Sequence, residues 1–266
     1  MNYKKYLGQN FLKNKNIAER IVEAANIKKN DVILEVGPGQ GALTNFLIQK
    51  SGHVIAVEKD KNLADFLTDK FKRNRNLEIV HNDILKFKPQ NFSLKHHKYK
   101  VVANIPYYIT SRFLRQFLES EYQPSLMVLM IQKEVAERII AKNKKESILS
   151  ISVKIYGKPK IIIRVPAGNF TPKPKVDSAV IAIENISKDF FDPPAGGNKM
   201  DEKLFFRLLK LGFSHKRKML KNNLGINAEV LQKCKIPPLA RAEELSLEDW
   251  KFLYCATLPS LRGPTS

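Results

Sequence analysis

Cysteine is scarce in this chain, and its placement excludes several chemistries. The two cysteines, Cys234 and Cys255, lie near the C-terminus with no C-x-x-C spacing and no histidine at ligand distance. Neither a metal site nor a disulfide framework is expected, and a reducing, cytoplasmic setting fits. Long apolar runs are missing too. The longest, Leu126 to Ile131, falls far short of the roughly 20 residues that cross a bilayer. The first dozen residues are polar and basic, without the apolar core of a secretory signal. Acidic side chains are the third shortage. Asp and Glu number 26 against 46 Lys and Arg, giving a formal charge of +20 and a pI near 9.8. So basic a chain points to a polyanion, either nucleic acid or an anionic membrane surface.

What remains is sufficient for a substantial core. Hydrophobic residues make up 43% of 266, enough for one large domain and a small one. Asp31 to Val36 (DVILEV) reads as a buried strand that runs into Gly37-Pro38-Gly39-Gln40-Gly41, and Ala42 to Lys50 then reads as a helix. Strand, glycine loop and helix open a Rossmann-like unit, in which glycines let the backbone approach a ligand closely. The next strand, His53 to Val57, ends at Glu58, 21 residues beyond Gly37. An acid there can accept from both hydroxyls of a ribose. Gly37, Gly39 and Ala42 also satisfy the dinucleotide fingerprint, so this loop alone admits a nicotinamide or flavin enzyme.

The alternation continues. Lys61 to Phe71 reads as a helix and Leu77 to His81 as a third strand, followed by Asn82-Asp83. Asp83 can accept from an adenine amino group or serve as a helix N-cap. Val101 to Ala103 reads as a fourth strand, left through Asn104-Ile105-Pro106-Tyr107. Pro106 stiffens that turn. Asn104 and the backbone carbonyls offer acceptors, and Tyr107 and Tyr108 offer flat faces. Those are the parts needed to grip a planar base with an exocyclic amine. A helix follows to Leu118, capped by Thr110 or Ser111, and Leu126 to Ile131 is the fifth strand. Ile148 to Tyr156 alternates apolar and polar residues and reads as a sixth strand or the end of a helix leading to one. Lys160 to Val165 and Ala179 to Ile183 are two more strands, joined by a basic, proline-stiffened loop from Phe170 to Ser178 that carries Lys173 and Lys175. Ahead of the first strand, Asn16 is placed to cap a helix with Ile17, Ile21, Val22 and Ala25 on one face.

The turn-rich stretch 187–198 reads as a linker between an α/β domain, 1–186, and a helical domain, 199–266. The second domain carries His215-Lys216-Arg217-Lys218 and Lys221. Alternating strands and helices imply a mostly parallel sheet, whose ligands bind at the carboxyl ends of its strands. The glycine loop, Glu58, Asp83 and Asn104 all fall there.

Together these motifs resemble the ribosomal RNA adenine N6-dimethyltransferases, of the class I S-adenosylmethionine-dependent fold, from Tyr6 to about Leu253. The matching texts include Gly8-Gln9-Asn10-Phe11-Leu12, Glu35 to Thr44, Glu58, Asn82-Asp83, Asn104 to Tyr107, Phe170 to Ser178, Lys216 to Leu224 and Arg241 to Leu245. The resemblance implies a Rossmann-like methyltransferase domain with a small C-terminal helical domain. It implies Asn10 and Leu12 as lid contacts to S-adenosylmethionine, Gly37 and Gly39 as the backbone platform, Glu58 on the ribose and Asp83 on the cofactor adenine. Asn104 would touch both cofactor and target adenine. Pro106 and Tyr107 would complete the target pocket, with Phe170 on the second face of the base. Lys173, Lys175, Lys216, Arg217, Lys218 and Lys221 would meet rRNA phosphates. The Pro-Lys-Pro-Lys-Val-Asp-Ser loop and Arg-Ala-Glu-Glu-Leu tail favour the branch acting on two adjacent adenines in 16S rRNA of the assembling small subunit. The other branch modifies a 23S adenine, and a third reading is an assembly factor that binds immature small subunits, with methylation secondary. The expected protein is a cytoplasmic monomer that needs neither metal nor membrane.

Overall fold

The computed structural model describes residues 8–143, 145–192 and 199–261. The chain forms two compact units: residues 1–137 with 157–187, and residues 138–156 with 188–266.

The first unit is built on a seven-stranded sheet. A two-residue strand β1 (Phe11–Leu12) and helix α1 (Lys15–Ala24) precede the alternating run β2 (Val32–Val36), α2 (Thr44–Lys50), β3 (His53–Glu58), α3 (Lys61–Lys70), β4 (Leu77–His81), β5 (Tyr99–Asn104), α4 (Thr110–Leu118) and β6 (Leu126–Gln132). After α5 (Lys133–Ile139) and α6 (Ile148–Lys154) come β7 (Lys158–Val165), β8 (Phe170–Thr171) and β9 (Ser178–Glu184). The sheet order is β4-β3-β2-β5-β6-β9-β7. The first five strands in this order are parallel, while β9 runs antiparallel to both β6 and β7. The central strands are apolar on both faces because helices cover both. Val101, Val102, Val128 and Met130 are fully buried.

Helix α1 is capped two residues earlier than the sequence predicts. Asn14 is its cap, accepting from the amides of Asn16 and Ile17. Neither Thr110 nor Ser111 caps α4. Its N-cap is Ile109, and the Thr110 hydroxyl donates to the Tyr107 carbonyl at 3.1 Å.

Residues 148–156 form no strand. Ser147 and Ser150 make a reciprocal capping box that starts α6, so of the two readings the helix leading into a strand, β7, is the one that holds. This segment belongs with the C-terminal helices rather than with the sheet domain to which the sequence assigned it. The Glu146 amide donates to the Glu243 carbonyl at 2.8 Å, Lys145 pairs with Glu243 at 2.8 Å, and the Tyr156 phenol donates to Glu202. Most of the expected linker, residues 193–198, lies outside the described residues.

The second unit also contains α7 (Glu202–Gly212), α8 (Leu220–Leu224), α9 (Ala228–Lys233) and α10 (Leu247–Leu261). Ser246 and Asp249 bond reciprocally at the start of α10, as their spacing predicts. The core gathers Phe205, Leu208, Leu209, Leu220, Leu231 and Trp250. Gly212 lies against the Trp250 ring; a Cβ there would come within 2.4 Å of it. Cys234 is buried and Cys255 exposed, both free. None of the described helices is long and apolar enough to cross a membrane.

Candidate active site

The carboxyl ends of β2, β3, β4 and β5 open on one cleft of about 1040 Å³, part of it open to solvent. Its walls include Gly8 to Leu12, Gly37, Gly39, Glu58, Asp83 and Asn104 to Tyr108. Every cofactor residue expected from the sequence therefore lines it.

The floor is the glycine loop after β2. Gly37 has φ +65°, and a Cβ on it would sit 3.3 Å from the Asn104 carbonyl. Gly39 has φ +59°, and a Cβ there would meet the Phe11 ring at 2.9 Å. Only glycine gives this left-handed backbone without strain and leaves room for the neighbouring chain. Phe11 thus lies directly on the loop, and the N-terminal segment is part of the site.

Glu58 closes β3 and is 7% exposed. Its Oε2 accepts from the Gly39 amide at 3.1 Å and its Oε1 from the Asp60 amide at 2.9 Å. Burial pushes its carboxyl above the ordinary value while these amide bonds work the other way. Each oxygen is thereby oriented and keeps a lone pair for a hydroxyl donor. Asp60 accepts in turn from Gln9 Nε2 at 2.9 Å and caps α3 through Asn62. A hydrogen-bond chain runs from the N-terminal segment through Asp60 and Glu58 to the glycine loop.

Asp83 takes the capping role open to it in the sequence and also lines the cleft. It caps a short 3₁₀ turn through the Leu85 amide at 3.0 Å, and it faces the cleft. Burial works against its ionisation, but the Lys59 ammonium at 2.8 Å and the Leu85 amide outweigh it and hold the carboxyl below its ordinary range.

Asn104 ends β5. Its Nδ2 donates to the Asn10 carbonyl at 3.1 Å, which fixes the amide plane and leaves Oδ1 as an acceptor. The Ile105 amide donates to Met130 at 3.2 Å, anchoring the turn on β6. Tyr107 is half-buried, its phenol 2.7 Å from Ser178 Oγ, while Tyr108 is 55% exposed at the cleft mouth.

Phe170 departs from expectation. Its ring is 2% exposed, packed in the hydrophobic cluster with Leu12, Ile163 and Val165, and it does not line the cleft. Its backbone pairs with Leu12 across β1 and β8, a link of 158 residues that no local pattern reveals. Its position supports the N-terminal segment.

Sequence reasoning passed over Glu35, a carboxyl 1% exposed in the middle of β2. Burial pushes it up to about 8, the nearby Glu58 charge adds to this, and Thr44 offsets it in part. Thr44, at the start of α2, is the polar neighbour that works against the rise. A charged residue inside a Val-Ile-Leu-Glu-Val run was the available signal.

Of the expected RNA contacts, Lys173 and Lys175 are exposed in the first unit, and Lys216, Arg217 and Lys218 are exposed in the second. Lys221 is half-buried. Asn223 Nδ2 braces the basic loop of the second unit by donating to the carbonyls of Gly212 and His215, at 2.6 and 3.1 Å.

A parallel sheet with an antiparallel β9 beside β6, a glycine loop after its first long strand, an acid ending β3 and another just past β4 defines a class I S-adenosylmethionine-dependent methyltransferase. The cradle fits that donor: backbone that a Cβ would obstruct lies under it, and an oriented carboxylate stands beside it. Residues 1–255 match the ribosomal RNA adenine dimethylase family, and the chain belongs to that family. A ribosomal RNA small subunit methyltransferase A of Dehalococcoides mccartyi strain CBDB1 is 45% identical over 258 residues, covering 94% of this chain and 87% of the relative. One from Fusobacterium nucleatum is 41% identical over 260 residues, covering 94% and 95%. A dimethyladenosine transferase from Plasmodium falciparum superposes with a TM-score of 0.81 at 26% identity, covering 94% of this chain and 98% of that one. The 23S rRNA methyltransferase ErmE shares the fold, with a TM-score of 0.75 at 24% identity over 93% and 99%. Family membership removes the nicotinamide or flavin alternative that the glycine loop alone allowed.

Proposed function

We propose that this protein dimethylates N6 of two adjacent adenines in the 3′-terminal hairpin of 16S rRNA while the small subunit assembles. The observation that carries this reading is the turn at Asn104. It presents an oriented amide acceptor to the same cleft as Glu58 and the glycine loop. The names of the bacterial relatives support the small-subunit substrate.

S-adenosylmethionine, when bound, supplies an electrophilic sulfonium methyl. The chain's own residues then have separable tasks. Asn10 and Leu12 cover the donor, and the Gly37–Gly39 backbone lies against it. Glu58 accepts from its ribose hydroxyls and Asp83 from its adenine amino group. On the target side, Asn104 Oδ1 and a carbonyl of Ile105 or Pro106 each accept one N6 hydrogen. An adenine N6 lone pair is delocalised into the ring and is a poor nucleophile. Two acceptors favour a more tetrahedral nitrogen whose lone pair points out of the ring plane. Tyr107 stacks on the base, a grip worth roughly 1–3 kcal/mol. Positioning rather than acid–base work supplies the rate. The target adenine must leave its stack to enter. Lys173, Lys175, Lys216, Arg217, Lys218 and Lys221 neutralise phosphates, in a cytoplasmic protein acting as a monomer.

The test is incubation with labelled S-adenosylmethionine and unmethylated 30S particles, with the labelled nucleotide mapped. Two adjacent dimethyladenosines near the 3′ end of 16S rRNA are expected. Label on a 23S adenine would overturn the substrate. Asn104→Ala should lower kcat at least about 100-fold, the scale of removing one preorganised polar contact from a reacting group. Donor affinity by calorimetry should fall far less, by about tenfold at most, the scale of the one bond to the Asn10 carbonyl.

A further inference from the structure

We infer that Ser178 is a positioning residue for methyl transfer: its buried hydroxyl holds the Tyr107 ring and ties the basic 171–177 loop to the Asn104–Tyr107 turn. The inference rests on the function proposed above.

Ser178 is 0% exposed and its Oγ lies 2.7 Å from the Tyr107 phenol oxygen. It is the first residue of β9, and its backbone is paired on both sides, with Gln132 of β6 and Val165 of β7. The residue before it is pinned as well. The Asp177 carbonyl accepts from the Lys133 amide at 3.0 Å, and Asp177 Oδ1 accepts from the Ala167 amide at 2.9 Å. The hydroxyl is therefore mounted on backbone held from three directions. Tyr107, by contrast, sits in a single 3₁₀ turn, Tyr107–Ile109, at the edge of the cleft. Its carbonyl is held by Thr110 Oγ1 and its phenol by Ser178, so the ring is fixed at both ends.

A stacking platform needs a defined plane, and a side chain anchored only by its backbone samples several rotamers. Burial raises the Tyr107 phenol above its ordinary 10.0, so at neutral pH it serves as a neutral hydrogen-bonding anchor rather than an acid. The same residue ends the loop that carries exposed Lys173 and Lys175. A phosphate held by those lysines would thus load the segment that orients the ring. This gives a reason for a serine at the close of a basic loop, beyond its place in the sheet.

A double-mutant cycle tests the pairing. Ser178→Ala should lower kcat on 30S particles about three- to tenfold, the span set by one hydrogen bond. The KM for S-adenosylmethionine should stay within about twofold, since that side of the cleft is untouched. Tyr107→Phe should lose a similar factor, and the double variant no more than the larger single loss. The ¹³Cζ resonance of labelled Tyr107, assigned by its disappearance in Tyr107→Phe, should move in Ser178→Ala. Multiplicative losses would overturn the inference, as would an unmoved resonance. So would a Ser178→Ala loss seen equally in donor KM and in the Tyr107→Phe background, which marks a merely structural serine. A wild type that labels no rRNA would remove the function proposed above, and the resonance would still decide whether Ser178 holds the ring.

Discussion

Glu35→Gln is the substitution whose outcome the structure constrains most tightly. The Glu35 carboxyl is 1% exposed, beneath the glycine loop, and burial together with the Glu58 charge raises it from 4.5 to about 8. The native state therefore holds it protonated at neutral pH, while the unfolded chain ionises it near its ordinary value. A group raised in this way contributes stability that is fully present below about pH 4.5 and is lost as pH rises toward 8. At 1.36 kcal/mol per pH unit the complete loss is on the order of 5 kcal/mol. Glutamine keeps the neutral shape and cannot ionise, so it abolishes this loss. The variant and the wild type should melt together near pH 5, and the variant should gain steadily up to pH 8.5. For a unit of this size 1 kcal/mol moves Tm by roughly 2–4 °C, so the gap at pH 8.5 should be on the order of 10 °C. Thermal melts followed by circular dichroism, from pH 5 to 8.5, measure it. Parallel Tm profiles for the two proteins would refute the reasoning.

Two further outcomes follow from the same geometry. Gly39→Ala adds a Cβ that would meet Phe11 at 2.9 Å in a left-handed backbone, so the N-terminal segment must lift off the loop. Its affinity for S-adenosylmethionine by calorimetry should fall roughly tenfold, with 1–3 kcal/mol as the cost of such backbone strain; unchanged affinity would count against the contact. Replacing Lys216, Arg217 and Lys218 by alanine should weaken rRNA binding at low salt and reduce the log–log salt slope by about 3, without affecting donor binding. A slope equal to that of the wild type would remove these residues from the phosphate contacts.

The parts of the site that could be read locally share one cause. Parallel strands linked by helices put consecutive strand ends on one edge, so the glycine loop, Glu58, Asp83 and Asn104 converge through topology alone. The parts that could not be read depend on partners far along the chain. Composition makes Gly8 to Leu12 a solvated tail, and only the family resemblance gave it a role. In the structure it is held by Phe170 and Thr171 in a two-residue pairing, by Asp60 through Gln9, and by Asn104 through the Asn10 carbonyl. No periodicity can announce a strand that short. The burial of Phe170 was hidden for the same reason, since its packing partner Leu12 is invisible from its own loop.

Segment 148–156 is instructive in a different way, because its local pattern left a strand and the end of a helix both open. Ile148 to Lys154 alternates well enough to resemble a strand, yet Ser147 and Ser150 stand at the spacing of a capping box, and the box decides. The pattern of side chains reports which faces are wet. The cap supplies hydrogen bonds for amides that a helix start would otherwise leave bare. In a seven-residue element the second constraint outweighs the first, because too few alternating positions exist to fix a register. The same logic bears on Glu35. Its strand is correctly read from its apolar neighbours, and the one residue that breaks the pattern is the one whose charge state the fold controls. In both places the residue that disagreed with its surroundings carried more information than those that agreed.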